Sequence, residues 1–192
     1  MKTIFDQGSF RAYAKIRLDE SRALIPPVVK YASRKTTVFV SHKHDELADL
    51  KDILGFLEKE FGVMTYIDSR DPTMPKVTSA QTAANIKARI AKCDKFILLA
   101  TNGAIESKWC NWELGFGDAQ KFEKHIALFP MKPAGSTYRG SEYMSIYPSI
   151  AYYDGTEKQL DGRSIKAGYY IRTKKIDGSV TIEPLAQWFA SR

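Results

Sequence analysis

The chain has 192 residues and a formal net charge of +7, with 44% hydrophobic and 27% charged residues, which fits one globular domain and excludes a disordered chain. Its longest apolar runs, such as Phe96 to Ala100, fall far short of the ~20 residues of a membrane span, and Asp6, Arg11, Lys15 and Arg17 break up any signal-like stretch. Two cysteines, Cys93 and Cys110, are too few for a secreted disulfide framework, so free thiols and a cytoplasmic setting are expected.

Residues 9–24 place Phe10, Tyr13, Ala14, Arg17 and Leu18 at helical spacing, an amphipathic helix that ends before Pro26-Pro27. Thr36 to Ser41 is β-branched and apolar, a buried strand. His44 or Asp45 is placed to cap the next helix, which carries Leu47, Leu50, Ile53, Leu54 and Leu57 on one face and stops at Gly62. A short strand at Val63 to Ile67 leads into a polar loop, 68–78, with two prolines. A helix over 79–92 turns Ala83, Ile86 and Ile90 inward. Phe96 to Ala100 is a continuous apolar strand, followed by a helix over 107–122 with Ser107 as its cap. Strands at Ile126 to Phe129 and Ile150 to Tyr153 complete the alternation. Tyr169 to Thr173 and Ser179 to Ile182 flank Asp177-Gly178, a hairpin signal, and Pro184 to Phe189 reads as a last short helix.

Strand–helix alternation over 36–153 predicts a mostly parallel sheet with helices on both faces, with ligands bound beyond the carboxyl ends of the strands. The informative segments are therefore Ser41 to Asp45, the loop 68–78 and Thr101 to Glu113. No GxGxxG or GxxxxGK[ST] phosphate loop, no GxSxG elbow and no zinc spacing of Cys and His occurs. The basic charge sits in the flanks: residues 1–36 hold eight Lys/Arg and three Asp/Glu, residues 161–192 six and three, which leaves −1 for the block between. Basic flanks attract polyanions, yet no compact Lys/Arg run with interleaved aromatics is present. Solvated faces are the simpler reading, and neither nucleic acid nor a membrane is expected as a partner.

The central block resembles a TIR (Toll/interleukin-1 receptor) domain. The likeness begins at Val38-Phe39-Val40-Ser41-His42-Lys43-His44-Asp45, similar to the family's first strand and polar exit, and continues through the proline-bearing loop at the place of its BB loop. Its most specific stretch is Ser107-Lys108-Trp109-Cys110-Asn111-Trp112-Glu113-Leu114, which fits Ser-x-Trp-Cys-x-x-Glu-Leu and contains Trp-x-x-x-Glu. The resemblance covers roughly residues 36–153 and implies a flavodoxin-like TIR fold, a mostly parallel five-stranded sheet with helices on both faces; the N-terminal helix and the C-terminal β-hairpin lie outside it as extensions. It divides the chain into an N-terminal helical extension (1–35), a TIR domain (36–155) and a C-terminal extension packed on the same domain (156–192).

The resemblance also implies an enzyme that cleaves NAD+ at the nicotinamide–ribose bond, either by hydrolysis or by cyclisation to a signalling nucleotide, as in bacterial antiphage defence of the Thoeris type. NAD+ is then substrate, with no cofactor and no metal. Glu113 is the implied catalytic carboxylate. Nicotinamide leaves as a neutral ring and needs no acid, so one carboxylate beside the oxocarbenium-like ribose suffices. Trp109, one turn earlier, can pack on a flat ring. His42 and Lys43 are candidates for phosphate or ribose contacts, with Ser41 and Asp45 beside them, and Phe39 is either an apolar wall or core. Asp68, Arg70, Asp71 and Met74 in the loop are candidates for a lid or an assembly surface, since the family works through TIR–TIR contacts. The implied partners are a homo-oligomer formed on activation and a separate effector that senses the product. Two alternatives stay open: a non-catalytic TIR–TIR scaffold, and a deoxyribosyltransferase-like enzyme, which also sets a carboxylate at an anomeric carbon.

Overall fold

The computed structural model describes residues 1–13, 34–68, 79–121, 123–159 and 161–191. Its strands are β1 (Phe5–Asp6), β2 (Thr37–Ser41), β3 (Met64–Tyr66), β4 (Lys95–Ala100), β5 (Ile126–Lys132), β6 (Ser149–Tyr153), β7 (Gly168–Lys174) and β8 (Val180–Pro184). They form one sheet in the order β3-β2-β4-β5-β6-β7-β8, with β1 paired to β5. The run from β3 to β6 is parallel, as expected. The sheet is larger than the five strands expected, because the hairpin β7–β8 continues it antiparallel from β6 and β1 pairs with β5. Asp177-Gly178 makes that turn, with Gly178 at φ 81, a left-handed conformation that glycine adopts without strain.

The apolar runs have a direct explanation in alternation. Val38, Val40, Ile97, Leu99, Ala127 and Phe129 point to one face and Phe39, Phe96, Leu98, Ala100, Ile126 and Leu128 to the other, and both faces are covered. On the first face lie α1 (Leu47–Phe61), α6 (Leu185–Ala190) and the N-terminal segment. The second is covered by α2 (Ala80–Lys92), α3 (Asn102–Glu106) and α4 (Lys108–Lys121), and a short α5 (Tyr143–Ile146) contributes Tyr143 and Met144.

The helix ends follow from local chemistry. Gly62, at φ 65, donates to Glu58 O and closes α1. Ser79 and Thr82 form a reciprocal capping box on α2. Thr82, not Ala83, is the buried residue of that turn beside Ile86 and Ile90. Thr101 caps α3 through the Ala104 N–H, and Ser107 caps α4 through the Cys110 N–H. Neither His44 nor Asp45 caps α1; Glu46 holds the N-cap position, and its side chain makes no cap hydrogen bond.

In the described part of the predicted N-terminal helix there is a single 3-10 turn, Arg11–Tyr13, and residues 14–33 lie outside the described residues. This segment is core all the same. Phe10 packs on Phe5, Tyr13, Phe56, Phe129 and Tyr169. It crosses α1 so closely that a Cβ on Gly55 would lie 2.6 Å from the Tyr13 carbonyl oxygen. No helix among the described residues is long and apolar enough to cross a membrane.

Candidate active site

In the parallel part of the sheet, the strand order reverses between β2 and β4: β3 is added on one side of β2, and β4 onward on the other, the switch point at which doubly wound sheets open a crevice beyond their carboxyl ends. Ser41 ends β2 on the face covered by α4, and Glu113 sits in the middle of α4. Although 72 residues apart in sequence, the two meet: Ser41 Oγ donates to Glu113 Oε2 at 2.5 Å. Glu113 is only 2% exposed, and its other oxygen, Oε1, meets no donor at hydrogen-bond geometry among the described residues. Burial and then the negative charge of Asp68 push its pKa up to about 8, while Ser41 and the nearby Trp109 indole pull it down. A carboxyl group of this kind is loosely proton-bound near neutrality and has one oxygen to spare.

The other predicted residues are distributed around this centre. Trp109 is half-buried one turn before Glu113, stacked on Trp112 at 4.8 Å. His42 is buried, with Nδ1 3.4 Å from Val40 O. Lys43 and Asp45 pair with each other at 3.1 Å on the surface. Asp68 Oδ2 stands 3.3 Å from His44 Nε2, and its Oδ1 4.0 Å from His42 Nδ1. Phe39 is core: fully buried, stacked on Phe96 at 5.6 Å, it offers no surface to a ligand. Arg70, Asp71 and Met74 lie outside the described residues.

Two residues take roles that the sequence reading did not assign: Thr101, which opens one of the segments it marked as informative, and Glu46. Thr101, directly after β4, donates to Glu46 Oε2 while its oxygen also caps α3. Burial holds the Glu46 carboxyl above its usual pKa. Gly103 lets this pair approach α3: a Cβ there would lie 2.6 Å from Glu46 Oε1 and 2.8 Å from Lys43 Cδ. The available signal was the position of Thr101 at the carboxyl end of β4, across the switch point from Ser41. Cys110, buried near Ser41, Ser107, Glu113 and Asp68, has its thiol pushed up to about 11 by burial, which disfavours the thiolate a nucleophile needs. No group of three or more His, Cys, Asp or Glu among the described residues converges as a metal site.

The TIR domain family profile matches residues 38–163. A curated relative from Bacillus cereus (strain MSX-D12), named "Probable 3' cyclic ADP-D-ribose synthase ThsB'", is 26% identical over 119 residues. That match covers 59% of this chain and spans 60% of the relative's length. Among solved structures, a prokaryotic SEFIR domain aligns with a TM-score of 0.39 and 16% identity, over 54% of this chain and 73% of that one. With the family profile covering well over half of its length, the chain belongs to the TIR domain family.

Proposed function

We propose that this TIR domain consumes NAD+, cleaving the nicotinamide–ribose bond to yield ADP-ribose or a cyclic ADP-ribose signal. The observation that carries the reading is Glu113: a buried acid with an unpartnered oxygen, at the switch point of the sheet. A scaffold has no need of such a group, since a buried unsatisfied oxygen destabilises the fold by about 1–3 kcal/mol, whereas active sites regularly carry one. The name of the Bacillus cereus relative supports the cyclic product, and the resemblance to Thoeris-type TIR proteins supports a place in antiphage defence.

In this reading the nicotinamide-bearing ribose lies against Glu113 Oε1. As the C1′–N bond breaks, its electron pair leaves with the ring and positive charge grows on the ribose. The Glu113 carboxylate, in a poorly solvated setting, stabilises that charge. Ser41 holds Oε2 and so fixes the direction of Oε1. Trp109 packs on the leaving ring, and His42, Lys43 and Asp45 meet the ribose and phosphates at the exit of β2. Substrate brings a pyridinium cation, which favours the ionised acid. Because Glu113 titrates near 8 in the free protein, kcat/KM rises with pH up to that value. Self-association through the 68–78 loop and a separate effector that senses the product belong to the same reading.

The test is incubation of the purified chain with NAD+, at high protein concentration and with a crowding agent, followed by mass spectrometry of the products. Nicotinamide with ADP-ribose or a cyclic isomer is the expected result. No nicotinamide under any of these conditions would overturn the proposal in favour of a TIR–TIR scaffold.

A further inference from the structure

A second acidic side chain, Asp68, stands beside His42 and His44 of the segment that follows Ser41, and cleavage of the nicotinamide bond does not use it. Its side chain is 11% exposed. Its charge acts on both Glu113 and Cys110, which puts it in electrostatic reach of the buried acid. Two carboxyl groups within reach of each other's charge repel one another, and such pairs cluster at functional sites.

One short segment orients both acids. In Ser41-His42-Lys43-His44, Ser41 donates to Glu113 Oε2 and His44 stands 3.3 Å from Asp68 Oδ2. His42 is buried beside the other Asp68 oxygen. His44 is different: its side chain is 60% exposed, so the Asp68–His44 pair joins a mostly buried carboxylate to solvent. Neighbouring acids in unlike surroundings, one dry and one linked to water, are how a site separates two proton roles.

We infer that Asp68 is the general base that takes the proton of a ribose hydroxyl attacking the anomeric carbon, and that His44 passes this proton to solvent, so that the pair directs the reaction to a cyclic product. The inference rests on the NAD+-cleaving reading above. The step balances without a further reactant. The C1′–N bond breaks and its electron pair leaves on neutral nicotinamide. A C1′–O bond forms from the hydroxyl of the second ribose, and its proton goes to Asp68, then to His44, then to water. One proton is released per cyclic product. Glu113 is poorly placed for this work, because Ser41 occupies Oε2 and Oε1 is engaged with the ribose cation. Water is small and abundant and captures that cation with little help. A ribose hydroxyl must lose its proton at one fixed place, so loss of the base harms cyclisation more than hydrolysis.

The experiment measures the ratio of cyclic product to ADP-ribose, per nicotinamide released, for the full chain, Asp68→Asn and His44→Gln. A ratio is independent of the overall rate. The expected result is a fall of about a hundredfold in Asp68→Asn, the size of a lost general base, and a smaller fall in the same direction in His44→Gln. His44 is exposed, so its variant decides the matter even where Asp68→Asn fails to fold. Unchanged ratios in the folded variants overturn the inference. A wild-type protein that makes only ADP-ribose overturns it too, while leaving cleavage at Glu113 intact. A wild-type protein that releases no nicotinamide overturns the cleavage reading and this inference with it.

Discussion

Replacing Glu113 with Gln should change the stability of the protein in a manner that depends on pH. In the fold this carboxyl titrates at about 8, against an ordinary 4.5. Below pH 4.5 folded and unfolded chains both hold the proton, and the group contributes no difference. Between 4.5 and 8 the unfolded chain has released the proton and the fold still holds it, so stability falls as pH rises, by about 1.4 kcal/mol per pH unit. Above 8 both are ionised and the full penalty, about 5 kcal/mol, is present. Gln cannot ionise, so the variant escapes this loss. Any change in packing or in the Ser41 hydrogen bond adds an offset that does not vary with pH. Relative to wild type, Glu113→Gln should therefore gain about 2 kcal/mol between pH 6 and pH 8, and slightly more by pH 9. For a domain of this size that corresponds to roughly 4–8 °C in Tm. Urea unfolding of both proteins at pH 6, 7, 8 and 9 measures it. Parallel stability–pH curves would refute the claim that Glu113 is a buried acid with a raised pKa.

Ser41→Ala removes the Ser41 hydrogen bond to Glu113 Oε2; because Ser41 lowers the acid's pKa, the pH midpoint of kcat/KM should move above 8, which a pH–rate series will show. Phe10→Ala should destabilise the fold by about 3–5 kcal/mol in denaturant titration, since its ring is buried among five other aromatics; a loss below 1 kcal/mol would show that the N-terminal segment is not core. Lys95 is fully buried, donates to Ser191 Oγ at 3.0 Å and lies 2.8 Å from His125 Nδ1, and burial lowers its pKa to about 8. From pH 8 to 10.5 the unfolded chain binds the extra proton, so wild type should gain up to about 3 kcal/mol on Lys95→Met across that window. A constant difference would contradict it.

The sheet and its helices were legible because each apolar run is long enough to be buried on both faces and each amphipathic segment keeps one period. Phe39 shows the limit of that reading. The run Val38-Phe39-Val40 announces a buried strand, but only the alternation in the folded sheet tells that Phe39 lies under Phe96 and away from any ligand. The hairpin was legible from Asp177-Gly178, whereas its attachment to β6 was not, because strand pairing leaves no local mark. Glu46 was hidden for a similar reason: its neighbours His44 and Asp45 looked like caps, but they pair with Asp68 and Lys43, and Glu46 turns to Thr101. Glu113 could be named from its motif, while its meeting with Ser41 needed the switch-point geometry. The approach of Asp68 to His44 depends on where β3 ends beside β2, which spacing alone does not encode.

The central claim is that the carboxylate of Glu113 drives cleavage of NAD+. It is tested most directly by nicotinamide release from NAD+ at pH 8, wild type against Glu113→Gln, each shown to be folded by its unfolding transition. The account predicts release by wild type and a loss of at least about a hundredfold in the variant. Equal rates from a folded Glu113→Gln protein would contradict it.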